Sequence, residues 1–509
     1  MRAINESVYT ICPDSGSTKR LVAKMRQVYR SQTDVLFDNG VEREIMRWAR
    51  DPEKIQEIEE YLHNLADADG RFAKSVGTVE SMIDTIMQFT MPEKASFQWN
   101  RHFRTAVEQV KDIYPKHLMP LDYRTERDVS MVISDWTTSA GWSGIIQGKP
   151  KKADLRDGAL EVLKEKEKSA LEVGSFNCPV IPGSRTQASG EFDDEGNMTH
   201  TFKRKKRPVW MTDFYQLLSE QRFARPLTQW LTHYEGSAIG KNDSEIQRQI
   251  FSTRLYSNWF ISLDYSRYDS TIPSWLIREA FGILRGCFDL SDQMRELFSV
   301  VEEDFINKNI LMDDGSFLHV THGNPSGSAF TAIVNGICNE LITRTWTNAM
   351  GHKRPRYIIM GDDNLIYLNE KVDVATIASY IDHNFGIKVN VDKTSVGSRY
   401  EYPEFLSRVW RTDGPWRHPN HLIAMLLYPE RWRNHPDERS VQTVIYSYIL
   451  GYPSAMRELL DVDGFLLATG LAPSNFYTNR GLIYNVPYNV RLAIEEGQYT
   501  QRLAEQLVA

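Results

Sequence analysis

Between Tyr357 and Leu368 the chain sets a glycine and two adjacent carboxylates, Gly361-Asp362-Asp363, between two short apolar runs. β-Branched and aromatic residues on both sides favour strands, and Gly361-Asp362-Asp363-Asn364 supplies the small and polar residues of a tight turn. The stretch therefore reads as a β-hairpin with two acids on its tip. Carboxylates crowded this closely repel one another unless a divalent cation holds them, which makes the tip a candidate metal site. The same residues also make an ordinary solvated turn.

At 509 residues the chain exceeds the size at which a single hydrophobic core keeps growing, so several subdomains are expected. No glycine- or serine-rich linker separates them, and they should pack as one body. With 41% hydrophobic and 25% charged residues the composition is globular. No apolar run approaches the roughly 18 residues that span a bilayer, so a soluble protein without a membrane segment is expected. The N-terminal residues carry no apolar targeting stretch, and secretion is not expected. Cys12, Cys178, Cys287 and Cys338 lie far apart, which excludes a cysteine-based zinc module and fits small buried side chains in a reducing compartment.

A net charge of −7 argues against wholesale coating of nucleic acid but leaves room for a locally basic channel. The densest basic runs are Lys203-Arg204-Lys205-Lys206-Arg207 and Lys149-Pro150-Lys151-Lys152. Each is either a solvated face or a phosphate contact.

Along the chain, Val41 to Leu65 has one apolar helical stripe through Ile55, Ile58, Leu62 and Leu65, with Asp51 as a cap and Pro52 in a first turn. It reads as scaffold. Thr137 to Gly144 forms a loop rich in hydroxyls and glycine whose N–H groups can approach a phosphate, or simply a glycine loop. Leu155 to Glu172 reads as an exposed helix. Ser184 to Val209 alternates about a turn at Asp193 to Asn197 and so forms a β-finger carrying Lys203 to Arg207, cations suited to a triphosphate. Asp213 begins a capped helix.

The run Trp259-Phe260-Ile261-Ser262-Leu263 is a strand that delivers Asp264 at its end and Asp269 five residues later. Next, Gly323-Asn324-Pro325-Ser326-Gly327 is a loop entering a helix whose core stripe is Phe330, Val334, Ile337 and Leu341. Ser326, Thr331 and Asn335 fall where polar groups can read a sugar or phosphate. Acids on two strand ends, a glycine loop opening a helix and upstream cations are the parts of two-metal nucleotidyl transfer. In that scheme two ions roughly 4 Å apart activate the attacking hydroxyl and neutralise the leaving pyrophosphate. Asp264 and Asp362 are the expected metal ligands, with Asp363 as an auxiliary acid. Positioning and charge dominate such chemistry, so no serine or cysteine nucleophile is needed.

Taken in order, these segments resemble the motifs of viral RNA-dependent RNA polymerases. Asp264-Tyr265-Ser266-Arg267-Tyr268-Asp269 resembles motif A, Gly323 to Asn335 motif B and Gly361-Asp362-Asp363 motif C. Gly386 to Lys393 is similar to motif D, Phe405-Leu406-Ser407-Arg408 to motif E, Arg207-Pro208-Val209 to motif F and Thr138 to Gly141 to motif G. The resemblance implies an α+β right-hand fold of fingers, antiparallel palm sheet with helices, and mostly helical thumb. Its divisions would be an accessory region bridging to the fingertips at 1–120, fingers at 121–257, palm at 258–402 with a finger insertion around 274–320, and thumb with tail at 403–509.

The resemblance also implies roles. Asp264, Asp362 and Asp363 would hold two Mg²⁺ or Mn²⁺ ions. Asp269, Ser326 and Asn335 would recognise the ribose 2′-hydroxyl, with Thr331 also at the nucleotide. Lys393, or else Lys388, would be the general acid for pyrophosphate. Lys203 and Arg207 would bind triphosphate, with Lys205 and Lys206 as alternatives to Lys203. Thr138, Ser139, Ala140, Gly141, Gly327 and Arg408 would line the RNA path.

Implied partners are template RNA, nascent RNA and ribonucleoside triphosphates, with a capsid protein as a further candidate. The implied state is a monomer and the implied location the virion interior and host cytoplasm. Arg207-Pro208-Val209-Trp210 and Leu427-Tyr428-Pro429-Glu430-Arg431 are similar to segments of picobirnavirus and partitivirus enzymes, from double-stranded RNA viruses. In the thumb, Gln442 to Leu450 and Val490 to Leu507 read as helices. Phe476 to Asn479 either stack on product or pack the core, and Arg480 to Tyr488 is a candidate to reach the active site. A reverse transcriptase shares the strand-end acids but needs a bulky residue against the 2′-hydroxyl, where Asp269 and Asn335 look permissive. A non-catalytic RNA-binding protein of similar shape is the other alternative.

Overall fold

The computed structural model describes residues 8–10, 23, 26, 37–67, 79–94, 100–185, 207–352, 355–429, 433 and 435–471. At its centre is a four-stranded antiparallel sheet in the order Ser395–Ser398, Trp259–Ser262, Asp363–Leu368, Arg356–Met360. Because side chains alternate across a strand, this one sheet serves two cores. Ile261, Ile366, Leu368, Tyr357 and Ile359 face a large cluster that includes the helices Arg101–Ile113 and Thr331–Ala349. Phe260, Ile358, Leu365 and Tyr367 face the helix Asp243–Arg254 together with Phe405 and Trp410.

The expected stripe Phe330, Val334, Ile337 and Leu341 is fully buried. The helix it belongs to is in fact buried nearly all round, including Asn335, Asn339, Glu340, Thr343 and Trp346. A helix enclosed in this way carries no free polar face, so each of its polar side chains must find a partner.

The finger hairpin pairs Ile181–Arg185 with Arg207–Met211, from Ile181 opposite Met211 to Arg185 opposite Arg207. Its arc from 186 to 206, with the expected turn at Asp193 to Asn197 and with Lys203, Lys205 and Lys206, lies outside the described residues. The base of the hairpin shares a core with Met82, Ile86 and Phe89 and with the strand pair Lys308–Leu311 and Ser316–Val320, to which Val8–Thr10 adds a third strand.

A separate core joins helices Asn39–Arg47 and Pro52–Asp67 to Pro419–Leu427, Glu438–Gly451, Pro453–Leu459 and Val462–Thr469. The helical pattern read from Val41 to Leu65 is carried by two helices, and Asp51 caps as expected. The first ends at Arg47, and Asp51 opens the second by accepting the Lys54 N–H at 2.8 Å. The helix expected from Leu155 starts at Ala159, because Gly158 (φ 73°) is left-handed.

Asp213 caps Phe214–Leu231 as expected, accepting the Tyr215 N–H at 3.0 Å. Cys287 and Cys338 are buried and Cys178 half-buried, all as free thiols. Phe476 to Asn479, Arg480 to Tyr488 and Val490 to Leu507 lie outside the described residues. No described helix is long and apolar enough to cross a membrane.

Candidate active site

Register sets where the acids emerge. The antiparallel pairing runs from Trp259 opposite Leu368 to Ile261 opposite Ile366, and beyond it Asp264 follows the end of one strand while Asp363 begins the other. Asn364 locks this register. Its fully buried side chain accepts the Leu263 N–H at 3.0 Å and donates to the Leu263 carbonyl at 3.4 Å, while Ser262 Oγ donates to the Asn364 carbonyl at 2.8 Å.

Behind the hairpin tip, Asn339 of the buried helix donates from Nδ2 to the carbonyls of Gly361 (3.1 Å) and Asp362 (3.0 Å), and accepts the Tyr265 hydroxyl at 3.3 Å. Gly361 itself has φ 66°, the positive value that a two-residue hairpin turn requires. Neither asparagine stands out in the sequence by composition. A signal was present, because Asn364 interrupts an apolar strand and Asn339 falls one turn after Asn335 on the same helical face.

Asp264, Asp362 and Asp363 are exposed at this edge. They offer only hard oxygen donors, the ligand chemistry of Mg²⁺ and Mn²⁺. Among the described residues no group of three or more acidic, histidine or cysteine side chains is placed to hold a metal ion, so the three acids are not gathered into a preformed site. The main chain beneath them is fixed by the bonds of Asn364 and Asn339.

The segment after Gly386 clasps the other side of Asp264. Lys388–Val389 pairs with Tyr265–Ser266, the Asn390 N–H donates to the Asp264 carbonyl at 2.7 Å, and the Asp264 N–H donates to Thr394 Oγ1 at 3.2 Å. Lys393 lies on the short turn Val391–Lys393 inside this clasp and is exposed. Lys388 is held in an ion pair with Asp382, which separates the two candidate lysines.

Asp269 sits on the short helix Tyr268–Thr271, and its Oδ1 accepts from Asn335 Nδ2 at 2.7 Å. These two expected ribose-reading residues are therefore in contact. Ser326 is exposed at the loop tip, where its Oγ accepts the Trp210 N–H of the finger hairpin at 3.3 Å. Thr331 Oγ1 is turned into the loop, donating to the carbonyls of Pro325 (2.6 Å) and Ser328 (2.8 Å), so it shapes the loop from within. Arg207 is placed on its strand at the end of the finger hairpin, and Lys203 lies outside the described residues.

Three segments expected on the RNA path make contacts within the chain. A Cβ on Gly327 would stand 1.6 Å from the Trp210 carbonyl, so this glycine lets the loop pack on the finger strand. In the Thr138 to Gly141 loop two amides are engaged: Ala140 N–H donates to the Pro150 carbonyl (2.9 Å) and Gly141 N–H to Ser139 Oγ (3.2 Å). A Cβ on Gly141 would meet the Thr212 carbonyl at 2.5 Å. The small residues there serve backbone packing against the Asp213 cap, and Ala140 is fully buried.

Arg408 is also turned inward, ion-paired with Asp243 at 2.7 Å with both side chains mostly covered. The tight turn that precedes it has Leu406 and Ser407 both at φ 56°.

One buried acid was not anticipated. Glu220, on the helix Phe214–Leu231, is fully buried and accepts from Ser328 Oγ (2.8 Å), the Ala329 N–H (2.8 Å) and Gln216 Nε2 (3.2 Å). Burial pushes its pKa up to about 7. It anchors the far end of the loop that begins at Gly323.

A central antiparallel sheet with acids at one end, a tight acidic hairpin and a buried helix entered through a polar loop define a polymerase of the right-hand fold. The crystal structure of the RNA-dependent RNA polymerase of a human picobirnavirus shares this fold, with a TM-score of 0.63 over 97% of this chain and 93% of that one at 14% identity. Residues 48–452 match the viral RNA-dependent RNA polymerase family, and the chain belongs to that family.

Among curated relatives, the RNA-directed RNA polymerase of Cryptosporidium parvum virus 1 is 26% identical over 214 residues, 39% of each chain. The genome polyprotein of human parechovirus 2 is 27% identical over 176 residues, 34% of this chain and 7% of the polyprotein. The matched part thus spans well under half of these relatives. The likeness to picobirnavirus-type polymerases expected from the motifs is among those found.

Proposed function

We propose that this chain carries out template-directed RNA synthesis from ribonucleoside triphosphates, for transcription and replication of a viral RNA genome. The observation that carries the reading is the clasp of Asn364 on Leu263, which fixes the segment leading into Asp264 against the strand beginning at Asp363. Asp264, Asp362 and Asp363 would hold two Mg²⁺ or Mn²⁺ ions, which when bound lower the pKa of the attacking hydroxyl and offset the charge on the leaving group.

The protein's own part is placement. The terminal 3′-hydroxyl of the nascent strand attacks the α-phosphorus, a new P–O bond forms, and the bond to pyrophosphate breaks in line. Lys393, exposed on its turn beside the Asp264 main chain, is assigned to give a proton to the departing pyrophosphate. Asp269, with Asn335 and Ser326, is assigned to the 2′-hydroxyl, and Arg207 with Lys203 to the triphosphate.

In this reading residues 121–257 are fingers, 258–402 palm with the inserted 274–320, and 403–509 thumb. The shared core of residues 41–61 with 422–465, and of 82–89 with the finger hairpin, supports a bridging role for residues 1–120. The enzyme would act as a monomer on template and nascent RNA, in the virion interior and host cytoplasm, with a capsid protein as partner. Purified protein given defined single- and double-stranded RNA templates, ribonucleotides and Mg²⁺ or Mn²⁺ tests the reading. Incorporation dependent on template and ion supports it. Binding without incorporation under either ion rejects it in favour of a binding protein, and preference for deoxynucleotides in favour of a reverse transcriptase.

A further inference from the structure

A buried ammonium group stands behind the residues assigned to the ribose. Lys308 opens the strand Lys308–Leu311 and is 5% exposed. Its Nζ donates to four main-chain carbonyls. Those of Phe305 (2.9 Å) and Ile306 (3.1 Å) end the helix Asp292–Ile306, and those of His322 (3.1 Å) and Gly323 (2.9 Å) begin the loop that leads to Ser326. A lysine has three donors, so all are engaged and at least one is shared. Burial pushes its pKa down to about 7. Keeping such a group inside is costly, and helix capping alone does not explain the two loop carbonyls.

From Gly323 the constraint runs without a gap to Asp269. Gly323 has φ 73°, its N–H donates to the Ile272 carbonyl at 3.1 Å, and the space for a Cβ is already filled by the Asp269 carbonyl at 2.8 Å. The Asn324 N–H donates to that same Asp269 carbonyl at 2.7 Å. Asn324 Nδ2 donates to the Thr331 carbonyl at 2.9 Å and to Asn335 Oδ1. Because Asn335 must accept there, its Nδ2 is left to point at Asp269 Oδ1, 2.7 Å away. The Thr331 carbonyl can only accept, so it fixes which end of the Asn324 amide donates and thereby the two side-chain bonds that follow.

We infer that Lys308 is a positioning residue for sugar selection: by holding the His322 and Gly323 carbonyls it sets Asn324, which orients Asn335, which aims the Asp269 carboxylate at the 2′-hydroxyl. The inference rests on the assignment of Asp269 to the ribose. An apolar side chain at 308 leaves buried carbonyls short of donors and frees the loop from the Asp269 main chain.

The test compares kcat/KM for a ribonucleoside triphosphate with that for its 2′-deoxy counterpart, using the full chain on a primed RNA template. Native protein, Lys308→Met and Asp269→Ala are measured side by side. A misfolded fraction lowers both substrates alike, so the ratio reports selection and not yield. Both variants should lower the ratio at least about 10-fold, through the ribonucleotide in the case of Lys308→Met. A ratio unchanged in Lys308→Met but lowered in Asp269→Ala overturns the inference and leaves the Asp269 assignment standing. A ratio unchanged in Asp269→Ala removes the assignment and the inference together. Should Lys308→Met not fold, Asn324→Ala cuts the same chain one link later, and an unchanged ratio there overturns the inference equally.

Discussion

The side-chain amide of Asn364 is clasped to the main chain of Leu263, accepting its N–H at 3.0 Å and donating to its carbonyl at 3.4 Å. Strand pairing alone would allow the Asp363 hairpin to slip against the strand that delivers Asp264. A buried side chain that matches one specific peptide forbids the slip. Asn364→Ala leaves that peptide without its partner in a dry interior and should cost about 1–3 kcal/mol in denaturant unfolding. Incorporation should fall at least about 10-fold while template binding stays within about twofold, since the basic surface is untouched. Equal activity in the variant would show that the strands keep their register unaided.

Gly327→Ala tests the loop at its tip. With the Trp210 carbonyl 1.6 Å from the added carbon, the loop must leave the finger strand, and incorporation should drop at least about 10-fold. Gly282→Ala, in the helix Ser274–Arg285 with nothing within 4 Å of the added carbon, is the control and should gain up to about 1 kcal/mol. A functional Gly327→Ala enzyme would mean that the loop does not need to dock on the hairpin.

Glu220 predicts a pH dependence of stability. Its folded pKa of about 7 lies above the ordinary 4.5, so between these values the folded chain keeps a proton that the unfolded chain has released. Its contribution therefore favours folding at low pH and is lost as pH rises through that window, by up to about 3 kcal/mol. Asp304, pushed up to about 6 by burial, acts with the same sign and remains in both proteins. Glu220→Gln removes only the Glu220 part, with Gln216 able to turn its amide and donate or accept as required. Unfolding measured from pH 5 to pH 8 should show the variant gaining on the native protein. Parallel curves would contradict the assignment.

Arg408 was expected on the RNA path and is found paired with Asp243. Arg408→Gln should cost about 1–3 kcal/mol of stability, because the partner carboxylate stays largely covered, and should leave RNA affinity unchanged. A binding assay showing lost affinity without lost stability would restore the RNA contact.

The sequence showed most clearly where chemistry demands particular residues in order. The hairpin at Gly361, the strand before Asp264 and the loop into the buried helix all lie where alternation and turn residues placed them. Far less legible were the residues that hold these pieces in register. Asn339, Asn364, Glu220 and Lys308 act across 14 to 109 positions of chain, a separation that no local periodicity encodes.

Glycines are ambiguous for a related reason. Gly141 read either as room for a phosphate or as part of an ordinary glycine loop, and the space for a Cβ there and at Gly327 is taken by the chain's own carbonyls at Thr212 and Trp210. A glycine announces close approach but not by what. Asp51 was legible as a cap because the apolar stripe of Ile55, Ile58, Leu62 and Leu65 begins just after it.

We propose that Asp264 and Asp362 together hold the ions on which incorporation depends. It is tested most directly by ribonucleotide incorporation on a primed RNA template, titrated with Mg²⁺ and Mn²⁺, in native protein, Asp264→Ala and Asp362→Ala, alongside template binding. Ion-dependent incorporation is expected in the native protein, with a loss of at least about 1,000-fold in each variant and template binding within about twofold. Incorporation at native levels in either variant would contradict it.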